Sequence, residues 1–87
     1  MALQLYHRWH CPYSKRVRDY IEQQGLGDRI AFVEIGEVDG AEAKLEALTG
    51  HAQVPCLVID GSPKLESKDI VAWLQANLAG GGAATRA

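Results

Sequence analysis

The chain has 87 residues, a net charge of −2, and 47% hydrophobic against 23% charged residues. That suffices for one small domain and not two, and it lacks the basic footprint of a nucleic-acid binder. The longest apolar run, VPCLVI, falls far short of the roughly 20 residues of a membrane span, and no stretch of signal-peptide length opens the chain.

ALQLYH (2–7) alternates apolar and polar residues and predicts a strand. Pro12 then opens a helix, because an N–H at the first helical position has no partner within the helix and its absence in proline costs nothing. Val17, Tyr20, Ile21 and also Tyr13 fall on its inner face. Lys15, Arg16, Arg18, Asp19 and Glu22 fall on the outer one. Gly25 and Gly27 end that helix. IAFVEI (30–35) predicts a second strand. Asp39 with Glu42 forms a capping box for a second helix that runs to Gly50. VPCLVID (54–60) is nearly all apolar, the pattern of a central strand covered on both faces. Asp60-Gly61-Ser62-Pro63 is turn chemistry, and 64–66 supply a short edge strand. Ser67 caps a last helix with Ile70, Val71, Leu74 and Leu78 facing inward. Residues 80–87 lack periodicity and are expected to form a flexible tail after a domain of residues 1–79. The expected class is α/β, in the order β-α-β-α-β-β-α, with a mixed four-stranded sheet and helices on both faces.

The stretch WHCPYS (9–14) carries the candidate chemistry. Cys11 stands at the helix cap, where unpaired N–H groups and the helix dipole favour an anion. Arg8, His10 and Lys15 add positive charge nearby. A thiol with an ordinary pKa near 8.5 is mostly protonated at neutral pH, so such surroundings raise the reactive thiolate fraction. Position 14, one helical turn on, holds serine rather than a second cysteine. Cys56, inside an apolar strand, reads as a buried small hydrophobe; the alternative is a second redox partner for Cys11. The two cysteines and three histidines contain no C-x-x-C or H-x-x-x-H pair, so no zinc site is expected. Trp9 and Trp73 read as packing residues, and His51 as an exposed loop residue.

Strand, CPYS, helix, QVP before an apolar strand, and ES-x-D-I opening the last helix together resemble the thioredoxin fold. Within it they resemble glutaredoxins and the N-terminal domain of glutathione transferases, over about residues 2–79. The resemblance implies that Cys11 is the nucleophile. It implies that Arg8 approaches the glycyl carboxylate of glutathione, and that Val54 pairs its backbone with the cysteinyl unit before a cis Pro55. Tyr13 flanks the bound peptide, and Gln53 reaches its backbone. Glu66-Ser67 replaces the glycine pair of glutaredoxins with the transferase signature for the γ-glutamyl end.

Ser14 in place of a resolving cysteine implies a monothiol, glutathione-dependent thiol transferase acting on glutathionylated thiols. A monomer in the cytoplasm, where thiols stay reduced, is expected, with no membrane or nucleic-acid partner. Two other activities remain open at this point. One is glutathione conjugation to an electrophile. The other is an iron–sulfur cluster held between two subunits by one cysteine each and two glutathiones; the best-known carriers have C-G-F-S, from which Pro12-Tyr13 departs.

Overall fold

The computed structural model describes residues 2–78; the tail expected over 80–87 lies outside them. The strands are β1 (Leu3–His7), β2 (Ala31–Glu34), β3 (Cys56–Ile59) and β4 (Ser62–Leu65). The helices are α1 (Pro12–Gln23), α2 (Ala41–Thr49) and α3 (Ser67–Asn77), with a single 3-10 turn at Gly27–Arg29. The sheet order is β2-β1-β3-β4. β1 and β2 are parallel, and the β1–β3 and β3–β4 pairs are antiparallel. This is the thioredoxin-like α/β arrangement implied by the sequence.

Alternation along the two central strands sorts the core into two layers. Leu3 and Leu5 of β1 and Leu57 of β3 pack with Val17 and Ile21 of α1 and Ile70 and Leu74 of α3. Tyr6, Cys56 and Val58 face the other way, onto Ala41 and Leu45 of α2. The sheet is therefore covered on both sides, which is why β3, Cys56-Leu57-Val58-Ile59, carries no polar residue.

Several boundaries differ from the expected ones. Asp60 and Gly61 alone make the turn between β3 and β4, with φ of 48° and 90°. Two positive φ values match the twist of the flanking strands in a two-residue hairpin. Ser62 and Pro63 therefore belong to the strand, with Pro63 opposite Val58 at the sheet edge. The second strand is shorter than 30–35, although the Ile35 N–H still reaches the His7 carbonyl at 3.0 Å. Val54 and Pro55 precede β3 rather than lying in it.

The Asp39–Glu42 capping box does not form. The Ala41 N–H closes a turn onto the Val38 carbonyl at 3.1 Å, so Gly40, at φ 79°, becomes the cap and Asp39 falls one residue too early. Likewise Glu66, not Ser67, caps α3. Tyr13 is 63% exposed instead of joining the Val17 face.

Candidate functional site

Cys11 is the N-cap of α1, with extended backbone at φ −93° and ψ 118°, and Pro12 follows at the first helical position. Its Sγ accepts the Ser14 N–H at 3.4 Å. Burial pushes the thiol pKa up, but the Ser14 hydroxyl, the backbone N–H groups of Ser14 and Tyr13 and the charge of Arg18 outweigh it. The net shift is downward. Acidification by a helix N-terminus is thus present as the sequence implied, whereas the contributing cation differs. Lys15 is held by Asp19 at 2.7 Å, and Arg8 faces Glu42 at 3.8 Å.

Ser14 contributes more than the absence of a second thiol. It is fully buried. Its Oγ accepts the Arg8 N–H at 3.3 Å, which leaves the hydroxyl hydrogen free for the Cys11 sulfur. Ser14→Ala is expected to move the thiolate titration of Cys11 to higher pH. At pH 6, alkylation should slow about threefold or more, because one donor to the anion is lost. Thiolate absorbance followed against pH checks this.

Cys56 is fully enclosed among Tyr6, Ala41, Leu45 and Val58. Burial raises its pKa, and the Lys64 backbone N–H offsets this only partly. It packs as the small hydrophobe the sequence suggested.

Beside Cys11 runs an open groove of about 770 Å³. Tyr13, Gln53, Val54, Pro55, Glu66 and Ser67, all singled out from the sequence, line it together. The Val54–Pro55 bond is cis. The Cys11 Sγ lies 4.0 Å from the Val54 carbonyl oxygen, which places the thiol at the groove's rim. Gln53 Nε2 donates to Glu66 Oε2 at 3.3 Å. Glu66 has φ 71°, a conformation that glycine adopts freely and that costs a residue with a Cβ about 1–3 kcal/mol. Ser67 is buried at the start of α3, where first-turn N–H groups are unpaired.

Arg8 does not line the groove; it stands against Glu42 at the start of α2. The groove's cations are Arg16 and Lys68, both missed in the sequence. Lys68 follows Ser67 directly, and Arg16 shares the helix that Cys11 caps, so motif adjacency was the available signal.

The loop from β1 to α1 is tied down from several directions. The Trp9 N–H donates to Glu34 Oε2, and the Trp9 ring Nε1–H to Glu37 Oε2, each at 2.9 Å. Arg18 stacks over the Trp9 ring at 5.0 Å, and His7 meets that ring edge-on at 4.8 Å. Trp9 packs, as the sequence suggested, but over the loop rather than inside the core, since it is 52% exposed. His7 is buried, and desolvation with the Arg18 charge lowers its pKa. Arg18 Nη1 lies 3.2 Å from His7 Nδ1, and since a guanidinium only donates, that nitrogen is unprotonated.

Among the described residues, no group of three or more His, Cys, Asp or Glu side chains gathers as a metal site. Cys11 would be this chain's single thiolate for an iron–sulfur cluster. The residues present do not by themselves fit one, and no step below passes through it.

The family model for the glutathione S-transferase N-terminal domain matches residues 10–77. Protein IN2-1 homolog B of Oryza sativa, from the indica and japonica subspecies alike, is 33% identical over 76 residues. The match covers 87% of this chain and 31% of the relative, so the chain spans about a third of the curated relatives' length. Three solved structures show the same fold. A diazinon-metabolizing glutathione S-transferase of the silkworm Bombyx mori superimposes with TM-score 0.75 at 19% identity, over 93% of this chain and 40% of its own. A glutathione transferase family member from Pseudomonas fluorescens Pf-5, solved with bound glutathione, gives 0.74 at 23%, over 86% and 38%. The holo form of glutaredoxin C1 from Populus tremula x tremuloides gives 0.63 at 24%, over 86% and 75%.

Proposed function

The chain belongs to the glutathione S-transferase N-terminal domain family, and from that premise we propose that it binds glutathione in the groove beside Cys11 and exchanges thiols through that single cysteine. One observation carries the reading. A thiol with a lowered pKa, at a helix cap, stands 4.0 Å from the carbonyl of the residue that precedes a cis proline. An extended peptide laid along Val54 would pair with its backbone and bring a sulfur to Cys11.

The Ser67 hydroxyl and the open first turn of α3 suit the α-carboxylate of the γ-glutamyl unit, and Glu66 suits its amino group. The left-handed backbone of Glu66 supports that role, since the strain is tolerated where a carboxylate is wanted. Arg16 and Lys68 supply further positive charge. Arg8 joins only by leaving Glu42, which holds it weakly because both side chains are about half exposed.

The reaction runs in two balanced exchanges. The Cys11 thiolate attacks the glutathione sulfur of a mixed disulfide. A Cys11–glutathione disulfide forms, the substrate's S–S bond breaks, and the substrate leaves as a thiolate that takes a proton from water. A second glutathione thiolate then attacks the glutathione sulfur on Cys11 and leaves as oxidised glutathione, returning Cys11 as thiolate. The net reaction oxidises the thiol of the incoming glutathione and reduces the substrate's sulfur; the other half of the oxidised glutathione arrives already disulfide-bonded in the substrate. Buried Cys56 takes no part, and the protein works as a monothiol monomer. A reduced glutathione pool is required, and the cytoplasm is the proposed compartment.

A glutathione-coupled reduction of a small mixed disulfide tests the activity, and calorimetric titration with glutathione tests the site. Ser67→Ala is expected to weaken binding by about 1–2 kcal/mol, the loss of a hydrogen bond to a charged group, while alkylation of Cys11 stays unchanged. Unchanged affinity with lost thiol reactivity would remove the binding role. An aryl halide electrophile offered with glutathione separates conjugation, the alternative that the sequence left open, from disulfide exchange.

A further inference from the structure

Arg18 is two helical turns beyond the cap of α1, so Cys11, Ser14 and Arg18 share one face at spacings of three and four residues. By composition it belongs to the polar outer face. Its surroundings are different, because that face looks back onto the loop leaving β1. Arg18 Nη1 donates to the Arg8 carbonyl at 2.9 Å, and Nη2 to the Trp9 carbonyl at 3.2 Å. Nη1 also donates to His7 Nδ1, and the guanidinium plane stacks on Trp9. Arg18 takes part in no ion pair among the described residues; its donors go to main chain and to a neutral ring.

We propose that Arg18 is a positioning residue for the reacting thiol, its guanidinium fork holding the two consecutive carbonyls of the loop that delivers Cys11. The inference rests on the reading of Cys11 as the reacting group. The Arg8 carbonyl is shared: it accepts the Cys11 N–H at 3.3 Å as well as Arg18. The same residue's N–H goes to Ser14. Arg18, Arg8, Ser14 and Cys11 thus form one closed set of hydrogen bonds, and loss of the fork loosens the turn that aims the sulfur.

A lysine cannot replace this arrangement. Its ammonium is a point charge, whereas the planar fork spans two carbonyls and lies flat on an indole. The groups that bear on the thiol also include Ser14 and the first-turn N–H groups from α1, so Arg18 acts together with them. Across the loop, Glu34 and Glu37 of the β2 side hold Trp9 from the other direction.

The test compares Arg18→Gln and Arg18→Lys with the parent, all in a Cys56→Ala background so that Cys11 is the single thiol. Alanine is chosen because a serine hydroxyl at that apolar site would be buried unpaired. Alkylation by iodoacetamide is followed against pH, and amide hydrogen exchange is measured in residues 8–14 and in β1. No glutathione is present, so failure here is separate from failure of the glutathione-binding reading. In both variants the amides of 8–14 should exchange about tenfold faster while those of Leu3–Tyr6 hold. The alkylation profile of Arg18→Gln should move to higher pH, and lysine should recover part of that profile through its charge but none of the loop protection. Parent-like loop exchange in Arg18→Lys overturns the proposal, as does a parent-like pH profile in Arg18→Gln. If Arg18→Gln fails to fold, Arg18→Lys decides alone: faster loop exchange over an intact β1 supports the role, and parent-like exchange removes it.

Discussion

Cys11→Ser is expected to lower glutathione-dependent reduction of a mixed disulfide by at least about 1,000-fold, since a serine hydroxyl with no neighbouring base is a poor nucleophile and forms no disulfide. The fold should survive, because the cap tolerates the change: serine is a preferred N-cap residue and can accept the same Ser14 N–H. Glutathione affinity should therefore fall far less than turnover. Cys56→Ala removes the only other thiol and should keep most of the activity, because that sulfur is enclosed and its pKa is raised. Equal loss in both variants would contradict a one-cysteine mechanism. Mass spectrometry gives an independent view. Oxidised glutathione should leave one stable adduct on the parent and none on Cys11→Ser, whereas an internal disulfide in the parent would make Cys56 a resolving thiol.

The largest effect on stability is expected at Leu5. It is fully buried at the centre of β1, with Phe32 opposite it on β2 and Leu57 on β3. It packs in the layer that joins α1 and α3 to the sheet. Leu5→Ala loses the transfer energy of the missing atoms and leaves a cavity, at a cost of about 2–5 kcal/mol. A domain of this size has a total stability of only about 4–12 kcal/mol, so about a sixth of it or more is lost. Urea unfolding should show a much lower midpoint at an unchanged slope. At low temperature, where the variant is still folded, the pH profile of Cys11 alkylation should match the parent's. A shifted profile would mean that the site and the core are not separable.

The order and type of the elements were legible because local chemistry and tertiary packing agree along most of the chain. The alternation of Leu3 and Leu5 with polar residues marked a strand, the apolar run through Leu57 and Val58 marked a strand covered on both faces, and Cys11-Pro12 marked a helix start. The groove was legible through its motifs, which specify Val54, Pro55, Glu66 and Ser67 one after another. Reading polar helix positions as solvent-facing failed at Arg18. A helix's first two turns face whatever chain enters them, and here that chain is the Arg8–Trp9 loop. Nearness in sequence misled in the same way at Arg8 and Lys15, whose charges lie beside Cys11 in the chain but are engaged by Glu42 and Asp19. Gly40 took the cap from Asp39 because the preceding turn closes on Val38, a contact that no periodicity reveals.

The proline in the outermost strand bears on how this molecule behaves when crowded. In a two-residue hairpin the pair flanking the turn, Ile59 and Ser62, exchanges hydrogen bonds, and the next pair, Val58 and Pro63, does not. The Pro63 nitrogen therefore points away from β3, toward the free border of the sheet. An incoming strand from another molecule needs an N–H donor there and meets a pyrrolidine ring. Among the described residues, strand addition is thereby discouraged at the β4 border, and the β2 border is the sheet margin with no such block.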